Sequence, residues 1–155
     1  MATAIIKALP AGIVPDSASD FGVQGLNANV NKLVSEGIST ITTAGTNTTL
    51  TTDQLFTKNI VLTSGASGGF TLTLPTTSAI FSALGPTIGV DGNSSFPLYI
   101  CNQGTSQTMT LTAGDSSTTV SSTENTLATN ISGKWIVNIT TASTLTVTRV
   151  FGGTN

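Results

Sequence analysis

The sequence predicts an all-β fold: an antiparallel β-sandwich or jelly-roll-like barrel with one short crossover helix and an N-terminal extended arm. Two observations support this. Short segments rich in β-branched residues, separated by Gly, Asn, Ser and Asp, follow one another from about residue 39 onward. Only 8% of the 155 residues are charged, whereas Thr occurs 31 times, so hydroxyl groups cover much of the predicted surface.

The chain divides into two parts by its threonine content. Residues 1–39 contain one Thr, and residues 40–155 contain the other 30. We therefore expect an arm over residues 1–39 and a β-sandwich domain over residues 40–155. Apolar residues recur at helix-like spacing over residues 22–34, so the arm contains either a short helix there or only irregular extended chain.

Nine short segments of the domain have the composition and length of strands, and one segment between them resembles a helix. Residues 76–84 begin with Thr, which favours a helix N-cap, and Gly85-Pro86 would end the helix. The predicted strands cover residues 39–44, 59–64, 70–74, 96–102, 108–113, 118–121, 126–129, 134–140 and 144–151.

Two strand patterns indicate how these segments are buried. Phe70, Leu72 and Leu74 alternate with threonines, which is typical of a strand that buries one face. Residues 96–101 are instead apolar on both faces, which predicts a central strand covered on each side or a strand covered by a partner. Trp135 shares a face with Val137 and is expected in the core.

The residues available for chemistry are few. The sequence has no histidine, which removes the commonest general base and zinc ligand. Asp91 and Asp115 lie in turn sequences, where Asp binds the local backbone, and Asp53 resembles a helix cap. We therefore predict no catalytic, cofactor-binding or metal-binding residue, and no enzyme activity; a glycoside hydrolase using paired carboxylates is the weakest alternative.

Several partner classes are also disfavoured. The five cations are scattered singly, which argues against nucleic-acid binding. No apolar run is long enough for a transmembrane helix and no basic segment precedes an apolar run near the start, so we expect neither a membrane span nor a secretory signal. Cys101 is the single cysteine of the sequence, and we interpret it as a small buried apolar residue.

The order of motifs in the domain resembles that of virion structural proteins of tailed phages and other large DNA viruses, in particular capsid decoration (cement) proteins. The resemblance covers about residues 40–151. It depends on Phe-Thr-Leu-Thr-Leu-Pro-Thr at 70–76, a strand ending Ile-Cys-Asn-Gln at 100–103, Met-Thr-Leu-Thr-Ala-Gly at 109–114 and Trp-Ile-Val-Asn-Ile-Thr at 135–140.

This resemblance implies a small protein, often trimeric, made in the host cytoplasm and located on the capsid surface of the virion. Its partners would be the major capsid protein, whose shell it would bind from outside and stabilise, and other copies of itself. The arm is suited to such contacts because an extended segment can add a strand to a neighbour's sheet. The candidate partner-contact residues are Ile5, Ile6, Leu9, Ile13, Val14, Phe21 and Tyr99.

A different function remains open. A receptor-binding or fibre-tip module would use exposed loops, such as residues 89–95 and 114–117, to recognise a host surface glycan. A high copy number in purified virions would favour decoration, and glycan binding by the isolated protein would favour the fibre-tip module.

Overall fold

A computed structural model describes residues 37–43, 47–64, 68–85, 94–103 and 108–154. The predicted arm up to residue 36, including the possible helix at 22–34, lies outside the described residues. The described part forms ten strands and two helices, which are β1 Gly37–Thr43, β2 Thr48–Thr49, α1 Thr52–Thr57, β3 Lys58–Ser64, β4 Phe70–Thr73, α2 Thr77–Leu84, β5 Ser95–Asn102, β6 Met109–Thr112, β7 Thr118–Val120, β8 Thr126–Leu127, β9 Ile131–Thr141 and β10 Thr144–Thr154.

The strands form two mixed sheets. One has six strands in the order β1-β3-β5-β9-β10-β7, and the other has four in the order β2-β4-β6-β8. Five pairs are parallel, namely β1 with β3, β3 with β5, β2 with β4, β4 with β6 and β7 with β10. Three pairs are antiparallel, namely β5 with β9, β9 with β10 and β6 with β8. The predicted all-β antiparallel sandwich is therefore wrong, because both sheets are mixed and helices contribute to the fold.

Parallel pairing among β1 to β6 arises because the chain winds through three successive coils. Each coil places one strand in the six-stranded sheet and the next strand in the four-stranded sheet, first β1 and β2, then β3 and β4, then β5 and β6. Equivalent side chains consequently stack on each other: Ile60 is paired with Ile100, and Leu72 is paired with Leu111. Such stacking buries a continuous core between neighbouring coils.

Two helices return the chain from one coil to the next. Helix α2 begins after Thr76, whose hydroxyl accepts from the Ala79 amide at 3.3 Å, and it ends at Gly85, as the sequence predicted. Helix α1 was not predicted, and the expected cap role of Asp53 is wrong, since Thr51 is the N-cap and forms a reciprocal capping box with Gln54. The sequence therefore contains two crossover helices in its described part, where one was expected.

The core fills the space between the two sheets and the helices. Strands β4 and β6 alternate buried and half-buried residues, which confirms the predicted period of two. The core residues are Ile41, Leu50, Leu55, Phe56, Ile60, Leu62, Phe70, Leu72, Leu74, Ile80, Leu84, Phe96, Leu98, Ile100, Met109, Leu111, Leu127, Trp135, Val137, Ile139, Leu145 and Val147.

Trp135 lies in this core, as predicted, and is completely buried. The indole ring lies beside Gly133, two residues earlier on β9. A Cβ atom at Gly133 would come within 2.5 Å of two indole carbons, so only glycine leaves room for the ring. The Trp135 indole nitrogen is buried and has no hydrogen-bond partner among the described residues.

No helix in the described ranges combines the length and the apolar composition that a membrane span requires.

Candidate binding surface

The outer face of the six-stranded sheet, which points away from the core, carries large apolar side chains in one line. Pairing aligns Ile38 with Asn59, Asn59 with Tyr99, Tyr99 with Lys134 and Lys134 with Phe151. We call these five residues the outer-face row. Because neighbouring strands lie about 4.8 Å apart, the row extends about 19 Å across five strands.

Three members of the outer-face row are large, apolar and exposed to solvent. The exposed fraction is 74% for Ile38, 36% for Tyr99 and 64% for Phe151. The row lies in a shallow groove of about 450 Å³. Single exposed apolar residues are common on proteins, whereas here three lie on one sheet face, alternating with Asn59 and Lys134. A patch of this kind is suited to binding a partner.

One cation lies within this patch. The Lys134 amino group is 5.2 Å from the centre of the Tyr99 ring, within the range of a cation–π interaction. Lys134 is one of the residues that line the groove, and its charged end lies next to the only tyrosine of the sequence. The groove therefore offers apolar contact area with one positive charge near its centre.

Phe151 reaches the outer face because β10 contains an irregularity. Arg149 is paired with Trp135 and Phe151 with Lys134, so two steps along β10 correspond to one step along β9, and Val150 is the extra residue. Without this bulge, Phe151 would continue the inward face formed by Leu145 and Val147, since side chains alternate along a strand. The bulge thus completes the outer-face row.

Arg149 holds the bulge in place. Its Nε donates to the Phe151 carbonyl oxygen at 3.2 Å, and its Nη1 donates to the Thr126 carbonyl oxygen on β8 at 2.9 Å. The guanidinium group also lies 5.3 Å from the centre of the Trp135 ring. Arg149 therefore joins β10 to the four-stranded sheet at the position where the register shifts.

A second line of smaller side chains runs beside the outer-face row. Val61 is paired with Cys101, and Cys101 with Ser132, and all three are half-buried on the outer face. The expectation that Cys101 is a small buried apolar residue is therefore wrong, since its side chain is only half-buried. Strand β5 lies between β3 and β9, and it buries Phe96, Leu98 and Ile100 on the inner face while it presents Tyr99 and Cys101 outward.

Comparisons of the chain with protein-family models, with curated proteins and with solved structures find no match.

The structure places one of the predicted partner-contact residues on this surface. Tyr99 lies at the centre of the outer-face row, and its contact role remains a prediction. The other six lie outside the described residues, namely Ile5, Ile6, Leu9, Ile13, Val14 and Phe21.

Sequence reasoning missed Ile38, Lys134 and Phe151 as members of the surface. Gly152-Gly153 after an alternating strand was a usable signal for the bulge at Val150, because glycines within a strand often accompany one. No comparable signal identified Ile38, since its neighbours are set by parallel pairing between coils.

Asp115 has a different environment from the outer-face row. Its carboxylate accepts three hydrogen bonds: from the Thr77 amide at 2.6 Å, from the Thr77 hydroxyl at 2.8 Å and from the Ser117 amide at 3.0 Å. The Thr77 hydroxyl lowers the pKa of Asp115 most strongly; desolvation opposes this shift, and backbone amides at Thr77, Ser117 and Thr118 support it. The predicted turn role of Asp115 is confirmed, and its carboxylate also binds the first turn of α2.

Asp115 and its hydrogen-bond partners Thr77 and Ser117 border a cleft of about 410 Å³. Its lining combines the Asp115 carboxylate and several hydroxyl groups with the Phe81 ring, and includes Ser78 and Ser143. Within the described ranges, no three His, Cys, Asp or Glu side chains are grouped so that they could hold a metal ion. The predictions of no cofactor, no metal and no catalysis remain predictions.

Proposed function

We propose that this chain is a virion structural protein of the capsid decoration type, which binds the outside of a major capsid protein shell through its outer-face row and stabilises the shell. The observation that carries the proposal is the alignment of Ile38, Tyr99 and Phe151, which are apolar, exposed and in register on one sheet face. Binding would remove this apolar area from water, which is the dominant favourable term in protein association.

Composition supports the same proposal. The net charge is −2 over 155 residues, so electrostatic repulsion between neighbouring copies on a crowded shell is small. The resemblance of residues 40–151 to decoration proteins points in the same direction. A homotrimer and a location on the capsid surface are parts of this proposal.

Binding of the full-length protein to capsid shells that lack it tests the proposal. Tyr99→Ala removes the central aromatic side chain of the row, and we expect affinity to fall about 30-fold, as for an interface residue worth about 2 kcal/mol. Phe151→Asp places a charge in the patch and should abolish binding. Thr49→Asp, at an exposed position on β2 in the four-stranded sheet, is the matched control and should bind like the wild type.

Copy number in purified virions provides the second measurement. A decoration protein is present in hundreds of copies, whereas a fibre-tip module is present in few. Wild-type affinity in both outer-face variants, or a low copy number, would contradict the proposal.

A second candidate function is recognition of a host glycan, and the cleft beside Asp115 favours it. Carboxylate and hydroxyl groups can hydrogen-bond a sugar, and the Phe81 ring can contact its apolar face. The predicted glycan loop at residues 114–117 contributes Asp115 and Ser117 to this cleft, whereas most of the other predicted loop, 89–95, lies outside the described residues. Glycan-array binding that Phe81→Ala abolishes and Tyr99→Ala preserves would establish this function instead.

A further inference from the structure

Lys134 carries the single charge on the described outer face of the six-stranded sheet. It is half-buried on β9, where pairing places it between Tyr99 on β5 and Phe151 on β10. The other charged residues of the described ranges lie on α1, in the core, in loops or on the inward side of β10, namely Asp53, Lys58, Asp115, Glu124 and Arg149. A partner that covers the outer-face row therefore meets one positive charge on it.

No carboxylate of the described residues pairs with this charge. The side-chain contact of Lys134 in the described part of the chain is the cation–π interaction with Tyr99, at 5.2 Å. In the free protein, water still reaches the half-buried amino group. A complex that covers the row removes this water, and the cation–π interaction offsets only part of the cost of burying an ammonium group. The partner must therefore supply what the water supplied.

Asn59, the other polar member of the outer-face row, does not fill this role. Its amide is neutral, and its Nδ2 donates to the Gly37 carbonyl oxygen at 2.9 Å. Asn59 also lies on the far side of Tyr99, two strand spacings or about 10 Å from Lys134. The negative charge that Lys134 requires in a complex has to come from the partner.

The neighbours of Lys134 define the rest of the partner's surface. Ile38, Tyr99 and Phe151 are exposed apolar side chains of the same row, so the segment that covers them is stabilised by apolar contacts. A single cation is too few for nucleic acid, which requires several neutralised phosphates, and too few for an anionic membrane, which requires a basic cluster. An acidic side chain within an apolar protein segment fits both the charge and the apolar contacts.

We propose that the segment of the major capsid protein that covers the outer-face row is apolar and presents one Asp or Glu side chain to Lys134. This inference rests on the proposed function and adds the chemistry of the partner. The carboxylate pairs with the Lys134 amino group, which keeps its contact with the Tyr99 ring. A charge pair enclosed by apolar side chains also fixes the position at which the segment lies on the sheet.

The affinity of full-length variants for capsid shells that lack this protein tests the inference. Lys134→Met keeps the apolar stem but leaves the partner's carboxylate unpaired, so affinity should fall at least about 30-fold. Lys134→Glu places two like charges opposite each other and should lower affinity about tenfold further. Lys134→Arg keeps the positive charge and should bind within about threefold of the wild type.

A double variant, Thr49→Glu with Thr108→Glu, is the matched control for Lys134→Glu because it changes the net charge by the same amount. Thr49 is exposed on β2 of the four-stranded sheet, and Thr108 is the exposed residue before β6. This double variant should bind like the wild type. Thermal unfolding of every variant identifies any loss of the fold.

A zero-length crosslink on the wild-type protein identifies the carboxylate directly. A carbodiimide joins an amine to a carboxylate in contact with it through an amide bond, with loss of one water. Mass spectrometry of crosslinked shells should show Lys134 joined to an Asp or Glu of the capsid protein. Lys134→Arg has no amine at this position and should bind the shell without forming this crosslink.

The sign of the Lys134→Met effect separates the two kinds of partner. If the covering segment has no acid, removal of the Lys134 charge removes a desolvation cost, and Lys134→Met binds as tightly as the wild type or more tightly. That result, or the absence of a Lys134 crosslink on saturated shells, overturns the inference. The proposed function survives such a result if Tyr99→Ala weakens binding, whereas wild-type affinity in both Tyr99→Ala and Phe151→Asp overturns the proposed function itself.

Discussion

Phe151 lies directly opposite Lys134 on the outer face of the sheet, although Arg149, only two residues earlier, lies opposite the buried Trp135. The bulge at Val150 thus reverses the side-chain direction within a single strand. Arg149 bridges the bulge through the Phe151 carbonyl and reaches the second sheet through the Thr126 carbonyl. The position of an exposed apolar side chain therefore depends on one partly buried guanidinium group.

Gly152 is the residue that leaves space for this guanidinium group, since a Cβ at Gly152 would overlap the Arg149 side-chain nitrogens. We expect Gly152→Ala to displace the guanidinium and to lose about as much stability as Arg149→Ala, about 1 kcal/mol for hydrogen bonds that are partly exposed. The double variant should cost little more than either single one. Urea denaturation of the four proteins measures this double-mutant cycle. Additive losses would show that Gly152 acts independently of Arg149.

Gly133 has a similar relationship with Trp135, but there the neighbouring group is rigid. The indole is fully buried, so a methyl group at position 133 cannot be accommodated by movement of a flexible chain end. Gly133→Ala should destabilise the protein by about 1–3 kcal/mol through overpacking. Gly68→Ala is the matched control, because no atom lies within 4 Å of a Cβ built there. Thermal unfolding that shifts equally in both variants would contradict this account.

The strand positions could be read from the sequence, and the pairing could not. All nine predicted strands exist, because alternation such as Phe70, Leu72 records burial on one face. Alternation has the same form whether the neighbouring strand runs parallel or antiparallel. What distinguishes the two is the path of the connection. Between β1 and β3 that path contains β2 and α1, whose two and six residues gave too short a pattern to detect.

A residue of the binding surface could be predicted only where the pattern within a single strand showed that it faces outward. The two-faced apolar segment at 96–101 placed Tyr99 outside the ordinary alternation, and Tyr99 lies at the centre of the surface. Ile38 and Phe151 join it through pairing across the intervening strands and through a bulge. These relationships are tertiary, so no local pattern records them.

Asn130 precedes β9 with a left-handed backbone, and its amide donates to the Asn102 carbonyl oxygen at 2.7 Å. Asparagine tolerates the left-handed φ of 58° better than other residues with a Cβ. Asn130→Gly should therefore stay within a few tenths of a kcal/mol of the wild type, and Asn130→Ala should lose about 1 kcal/mol. Urea denaturation compares the two. Equal stability of the Ala and Gly variants would show that the left-handed backbone at residue 130 does not make the Ala variant less stable.

The Asp115 carboxylate should make stability depend on pH. Hydrogen bonds from Thr77 and neighbouring amides lower its pKa in the folded state, so the ionised carboxylate stabilises the fold at pH values above its unfolded pKa of about 3.9. This contribution is lost as the pH falls through the folded-state pKa. Asp115→Asn should therefore be less stable than the wild type at pH 7, and the difference should shrink as the pH falls below about 4.

Urea denaturation at pH 7 and at a series of more acidic values measures this difference. Glu124→Gln is the matched control, because it removes an exposed carboxylate, and its stability at pH 7 should stay close to that of the wild type. Thr77→Val removes the hydroxyl that lowers the pKa of Asp115 most, and it should weaken the same pH dependence. The stability difference between Asp115→Asn and the wild type could instead stay constant from pH 7 into the acid range. That result would mean that the charge of Asp115 does not stabilise the contact between its own loop and the start of α2.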